Sequence, residues 1–417
     1  MIRHLLALVA LLAASSAGAE TWAITGARVW TMTSAAPVDN ATIVVENARI
    51  ASVTAGGEPP KNARIVKAEG RVVTPALVDA ATQIGLGEVG AVAEERGASV
   101  TKGPLGAAFD VEYAFDPADQ AVRQARADGV AWVTIYPDGS ASAPFDGNAA
   151  VVHLGSREAQ VARSRSAMFA TIGGNAAAAA AGSRAGSWQL LRNALEEARA
   201  YHRGAHGGSP RDQLLNHLDA EALAPVLAGT MPLVISTNRA SDITQALALA
   251  RDFRLRLVIF GGAEAWARAQ ALAAAHIPVI LDPMADLPDS YDTIGARRDN
   301  AVILARAGVA IAFSVSAQGI DRSWNAGTSL REGAGNAVAA GLPYNEALAA
   351  ITSGAARVMG LDAKVGTLAP GADADLVIWD GDPLEPSSAP LQLYAAGDEV
   401  SLVTRQTMLR DRYAPRP

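Results

Sequence analysis

The sequence has no cysteine. That excludes disulfides, thiolate metal sites and a cysteine nucleophile. Histidine is also scarce, with six among 417 residues, so few imidazoles are available to build a metal site. Lysine and arginine are scattered and form no run, and the formal net charge is −7. The basic footprint of a nucleic-acid binder is therefore missing. No apolar stretch reaches the roughly 20 residues needed to span a bilayer. What remains is a globular composition, half hydrophobic and 18% charged. The length suits one large domain with a smaller one beside it.

The N-terminus reads as an export signal. Arg3 supplies a positive start, Leu5 to Ala14 an apolar run, and Ala17-Gly18-Ala19 a small-x-small cleavage pattern. Cleavage before Glu20 is expected. A membrane anchor is the alternative, but the run is about half the length of a span. Loss of Arg3 would take the net charge from −7 to −8. A periplasmic or secreted protein, free of the membrane after cleavage, is the expectation.

Two terminal segments share one style. Residues 20–73 hold short apolar runs broken by turns, such as Ala41 to Val45 and Arg49 to Val53 around Glu46-Asn47. Residues 361–417 repeat the style, with Ala374 to Trp379, a turn at Asp380 to Pro383, then Val400 to Val403. Neither could bury a core alone; together they predict a composite β-sandwich. Between them, residues 74–360 alternate strand-like runs with Ala-rich stretches of helical spacing. The runs are Ala76–Ala80, Val130–Tyr136, Ala149–Leu154, Met168–Ile172, Pro232–Ser236, Leu257–Gly261, Ile277–Leu281 and Val309–Val315. They lack polar alternation, as expected of parallel strands buried on both faces. Eight strands alternating with helices predict an α/β fold, a TIM-type (β/α)8 barrel. The Ala-rich Asn175 to Gly182 reads as a surface loop or helix start.

The segment Val73-Thr74-Pro75-Ala76-Leu77-Val78-Asp79-Ala80-Ala81-Thr82-Gln83 resembles the first barrel strand of metal-dependent amidohydrolases, and more narrowly the imidazolonepropionase-like group. Ala347 to Thr352, Ala355-Ala356 and Gly366 to Val377 resemble that family's closing helix and its return into the β module. The resemblance implies hydrolysis of non-peptide C–N bonds in amides or cyclic amides, with one or two divalent ions, usually zinc, at the barrel mouth. It also implies where ligands belong. The first-strand His-x-His falls on Ala81 and Gln83, the fifth-strand position on Ser236 with Asn238 beside it, the sixth on Gly261, and the eighth-strand Asp on Ser316.

Catalytic zinc normally has three protein ligands, and none stands at those places. Metal binding lowers the pKa of water from about 15.7 to about 7. At about 1.36 kcal/mol per unit, that is an upper bound of roughly 12 kcal/mol in hydroxide availability, which serine or an amide does not replace. Other histidines do not obviously rebuild the site. His202 and His206 sit among glycines and read as a solvated loop. His217 and His276 fall on or beside helices. His153, near the end of the third run, reads first as a packed, hydrogen-bonded core residue and otherwise as a ligand contact.

Three carboxylates follow late strands and could serve metal-free acid–base chemistry if burial raised one pKa: Glu264, Asp282 and Asp321. Each reads first as a solvated or loop-structuring carboxylate. Arg239 offers a bidentate partner for a substrate carboxylate, or a partner for Asp242 at the next helix start. Gly85-Leu86-Gly87-Glu88-Val89-Gly90 matches a dinucleotide motif, with Asp110 at a suitable distance. Gly97, Gly103, Pro104 and Gly106 prevent the crossover helix that motif needs, so its glycines read as the loop after the first strand.

Three functions follow. The first is a homologue without metal or other cofactor, binding a small amide or peptide-like ligand through Gln83, Ser236, Asn238, Arg239 and Ser316, or supporting an active amidohydrolase relative as a subunit. The second is a metal-independent C–N hydrolase using the carboxylates. The third is a structural subunit, including a homo-oligomer.

Overall fold

The computed structural model describes residues 21–87, 97–139, 144–155, 157–174, 182–204, 213–315, 325–361 and 363–414. The expected signal segment, the Ala-rich run 175–181, His206, Ser316 and Asp321 lie outside them.

Both chain ends build one sheet. Its N-terminal strands are β1 (Thr21–Val29), β2 (Val38–Glu46), β3 (Arg49–Ala55), β4 (Arg64–Lys67) and β5 (Val72–Pro75). The barrel strands come next: β6 (Leu77–Thr82), β7 (Val130–Ile135), β8 (Gly147–His153), β9 (Gln160–Thr171), β10 (Leu233–Thr237), β11 (Leu257–Gly261), β12 (Val279–Leu281) and β13 (Ile311–Phe313). The chain returns through β14 (Leu376–Trp379), β15 (Pro390–Ala395) and β16 (Asp398–Val400).

The terminal sheet runs β16-β15-β14-β5-β1-β2-β3, with β4 on β1. The antiparallel β14–β5 pairing joins the two ends of the chain. Three steps separate β15 from β1, about 14 Å if the sheet were flat. Yet Trp22 of β1 stacks on Tyr394 of β15 with ring centroids 4.4 Å apart. The sheet therefore rolls over its own core, as a sandwich does without being two separate sheets. Leu376-Val377-Ile378-Trp379 is apolar throughout because it is covered twice. Leu376 and Ile378 join the core of the terminal sheet, whereas Val377 and Trp379 join the barrel's.

All eight expected barrel strands form, in sequential order. Strands β9 to β13 are parallel, as are β6 and β7. Strand β8 differs from the strictly parallel expectation, because it is antiparallel to both neighbours. The connections explain this. A parallel crossover needs roughly a dozen or more residues, usually with a helix. Residues 136–146 and 154–159 are too short for one. Ends β6 and β13 meet at a seam where the Ser314 hydroxyl donates to the Ala81 carbonyl.

Alternation within the strands separates the barrel's inside from its outside. Val234, Val258, Ile280 and Ala312 fill the interior with Ala149, Ala167 and Phe169. Leu233, Ile235, Ile259, Val279 and Ile311 face the surrounding helices. Ala355, Ala356 and Met359 enter the interior cluster from the floor, where Val78 N–H donates to the Ile351 carbonyl.

Asp375 pins the terminal sheet to that floor. One oxygen accepts the Trp132 indole N–H at 2.7 Å; the other accepts Ala396 N–H at 2.6 Å and lies 3.3 Å from His153 Nε2. Burial opposes the charge, but His153, Ala396 and Trp132 outweigh it and hold the carboxyl below the usual carboxylate range. Asp375→Ala leaves two donors buried without partners and should cost about 2–4 kcal/mol in urea unfolding. A folded pKa below the unfolded one, about 3.9, means the ionised carboxyl stabilises above pH 4 and its contribution is lost as pH falls through the folded value. The parent should therefore lose its advantage over Asp375→Asn on acidification. An advantage that does not shrink as the pH falls would contradict the pairing.

Candidate functional site at the barrel mouth

Inward alternation continues one layer above Val234, Val258 and Ile280, and brings Ser236, Phe260 and Asp282 to the mouth. There they line a cavity of about 370 Å³ with Tyr136, Phe169 and Thr171. Three sequence-derived candidates thus meet in one space: Ser236, Asn238 and Asp282. Gly261 lines it through its backbone. Its φ is +89°, and an added Cβ would lie 2.7 Å from Asn238 Oδ1. The inward side chain at that height on β11 is Phe260.

Other candidates stand elsewhere. Gln83 follows β6, outside the cavity's described lining, and its Nε2 is buried without a hydrogen-bond partner. Glu264 Oε2 accepts Ala240 N–H at 2.8 Å, at the start of the helix Ala240–Phe253. That is the work of a helix cap. Arg239 is half-buried, does not line the cavity, and does not pair with Asp242. Asp242 is held instead by the Arg184 guanidinium and the Trp188 indole, 2.9 Å away. Asp282 Oδ1 accepts Met284 N–H at 2.8 Å while its residue lines the cavity.

The reversal of β8 moves His153 away from the mouth. Because the strand runs downward, His153 reaches the floor beside Trp132 and Asp375, and the strand's beginning reaches the mouth. The core reading of His153 is therefore the one the geometry carries. His202 ends the helix Arg184–His202 and meets the Ala220 carbonyl at 2.9 Å. His217 begins a short helix, and His276 follows Ala269–Ala274 in a left-handed turn. The G-x-G-x-x-G stretch leads into loop rather than helix through residue 87, and Asp110 is occupied by Glu112 N–H and Arg165.

Residue-by-residue reading missed Asp146. It lies just before β8 and accepts the Thr171 hydroxyl at 2.7 Å. Burial pushes its carboxyl up to about 7, against that hydrogen bond, and the nearby charge of Asp138 adds to the rise. Asp79, inside the first strand, is likewise raised to about 7 by burial, despite the Ala81 N–H and the Ser314 and Thr82 hydroxyls. Sequence could have found Asp146 only by recognising that the connections flanking β8 are too short for crossovers.

The fold and the chain's C-terminal sequence agree on ancestry. Residues 261–409 match the model of the amidohydrolase family. An amidohydrolase from Thermotoga maritima MSB8 superposes with a TM-score of 0.80 at 25% identity, over 91% of this chain and 99% of that one. The fold is that of the amidohydrolases, and residues 261–409 carry the sequence pattern of their family model. A prolidase crystallised with N-methylphosphonate-L-proline shares the fold at 16% identity, with a TM-score of 0.55 over 91% of this chain and 99% of that one. A short stretch is 44% identical to amidohydrolase tasK of Hapsidospora irregularis over 57 residues, 14% of this chain. The match spans only 6% of that protein's length.

The superfamily implies a metal at the mouth, so the donors there are the test. Those described are hydroxyls, an amide and aspartates, with no imidazole. No three His, Cys, Asp or Glu among the described residues converge as a metal would need. At the sixth-strand position, Asn238 Oδ1 fills the space a side chain would enter. This donor set does not fit zinc, which normally takes three protein ligands even at a catalytic site.

Two outcomes follow from this geometry. Gly261→Ala requires a left-handed backbone and pushes on Asn238, so it should destabilise by about 1–3 kcal/mol; Asn238→Gly in the same chain should recover part of that in a double-mutant cycle. Strict additivity would refute the contact. For Asp146, the unfolded carboxyl ionises near pH 4 and the folded one near 7. The native state then holds more protons across that window, and stability falls as pH rises through it. Relative to the parent, Asp146→Asn should gain roughly 1–3 kcal/mol between pH 5 and pH 8. A pH-independent difference would mean that the buried carboxyl titrates normally.

Proposed function

We propose that this chain is an exported amidohydrolase-superfamily protein that binds a small amide or peptide-like ligand at its barrel mouth without the superfamily metal. The observation that carries the reading is the cavity's lining. It pairs an aromatic wall with hydroxyl, amide and carboxylate groups, and no three potential metal ligands converge among the described residues. Amide ligands need hydrogen-bond donors and acceptors set in an otherwise apolar recess, and Ser236, Asn238 and Thr171 supply them.

The reading as a metal-free hydrolase gains less support. Glu264 is spent on the Ala240 amide, and Asp282 holds Met284 N–H. Export rests on the first 19 residues, with cleavage before Glu20. No helix among the described residues is long and apolar enough to cross a membrane.

Purified protein should contain far less than one equivalent of divalent metal by element analysis, and should not hydrolyse a panel of small amides. A neutral N-acetyl dipeptide amide or cyclic amide should raise the melting temperature, since a ligand at 100 times its Kd stabilises by about 2.7 kcal/mol. Ser236→Leu, which fills the cavity, should abolish that shift. Stoichiometric, tightly held metal would overturn the reading. A blank response across the panel would favour a purely structural role.

A further inference from the structure

The mouth has a corner made of three aromatic rings. Tyr136 and Phe169 stack, with centroids 5.0 Å apart and planes 17° apart. Phe260 stands edge-on to both, at 78°, with centroids 5.2 and 6.3 Å away. All three line the cavity. Phe169 and Phe260 come from β9 and β11 and Tyr136 directly follows β7, so the corner is built on three barrel strands. Tyr136 is 6% exposed, and its hydroxyl makes no hydrogen bond among the described residues. It opens on a cavity that can supply a partner.

Charge at the corner has one sign. Asp138 and Asp289 lie exposed on the lining, and no lysine or arginine lines it among the described residues. The nearby Arg184 is held by Asp242 and Asp292. Asp138, Asp79 and Asp146 all lie close enough to Tyr136 for their charges to act on its phenol. An anionic ligand would meet repulsion and find no guanidinium. A cation would meet ring faces, a free phenol oxygen and carboxylates. Ring faces carry negative potential and attract ammonium groups by about 0.5–2 kcal/mol each.

We infer that the mouth selects an ammonium-bearing ligand, a small amine whose cationic head seats against Tyr136, Phe169 and Phe260 beside Asp138. This rests on the reading above that the mouth binds a small amide or peptide-like molecule, and it names the ligand's charge. A free amino terminus on a peptide-like ligand meets both requirements.

Isothermal titration with three matched probes tests it: glycyl-L-alaninamide, its N-acetyl form and its N-succinyl form. The three share the amide body and differ in carrying a cation, no charge or an anion. The ammonium form should bind at least about tenfold tighter than the acetyl form, and the succinyl form should bind weakest. Asp138→Asn, at an exposed position, and Phe260→Leu should each reduce that preference about fivefold or more, with the melting temperature of the unliganded protein reported alongside. Equal or tighter binding of the acetyl form overturns the charge assignment and leaves the amide-binding reading standing. A preference unchanged in both variants overturns the placement of the cation. No binding by any form overturns both readings.

Discussion

The reversed third barrel strand is the constraint on which the mouth depends. Connections of so few residues on either side of β8 cannot carry a right-handed crossover, so the chain must turn back on itself. A downward strand presents its first residues to the mouth and its last to the floor. Asp146 consequently joins the site, and His153 joins the attachment of the terminal sheet. A parallel strand would have exchanged them.

The floor and the mouth then divide their chemistry. At the floor, the buried Asp375 is kept ionised by convergent donors, and it binds two parts of the chain separated by more than two hundred residues. Elsewhere in the barrel, Asp79 and Asp146 are buried and their carboxyls rise to about 7. The same residue type thus behaves in opposite ways, because hydrogen-bond donors favour the charge in one place and burial penalises it in the other. A site with exposed acids at its rim and an aromatic wall is suited to recognition more than to the activation of water.

The superfamily's barrel persists here with a different set of inward side chains. Strand alternation carries Ser236, Phe260 and Asp282 to one layer whatever their chemistry, because successive side chains must point to opposite faces. Gly261 shows how far the surroundings have adapted, with a left-handed backbone that gives Asn238 Oδ1 its space. The scaffold therefore accounts for the fold, and the side chains carry the function.

The amino-acid sequence by itself determined the number and order of the barrel strands, the joining of both ends into one module, and the superfamily. Each of these follows from local patterns: apolar runs of strand length, helical spacing between them, and motifs at Val73 to Gln83 and Gly366 to Val377. It also put Ser236, Asn238 and Asp282 at or just beyond the upper ends of strands whose direction was read correctly, where they line one cavity. Only the tertiary structure decided the direction of β8, the helix-capping work of Glu264, the partners of Asp242, and the aromatic corner of Tyr136, Phe169 and Phe260. Those depend on which strands lie side by side and on what fills the space between them, and residues far apart in the chain leave no local pattern from which such proximity can be read.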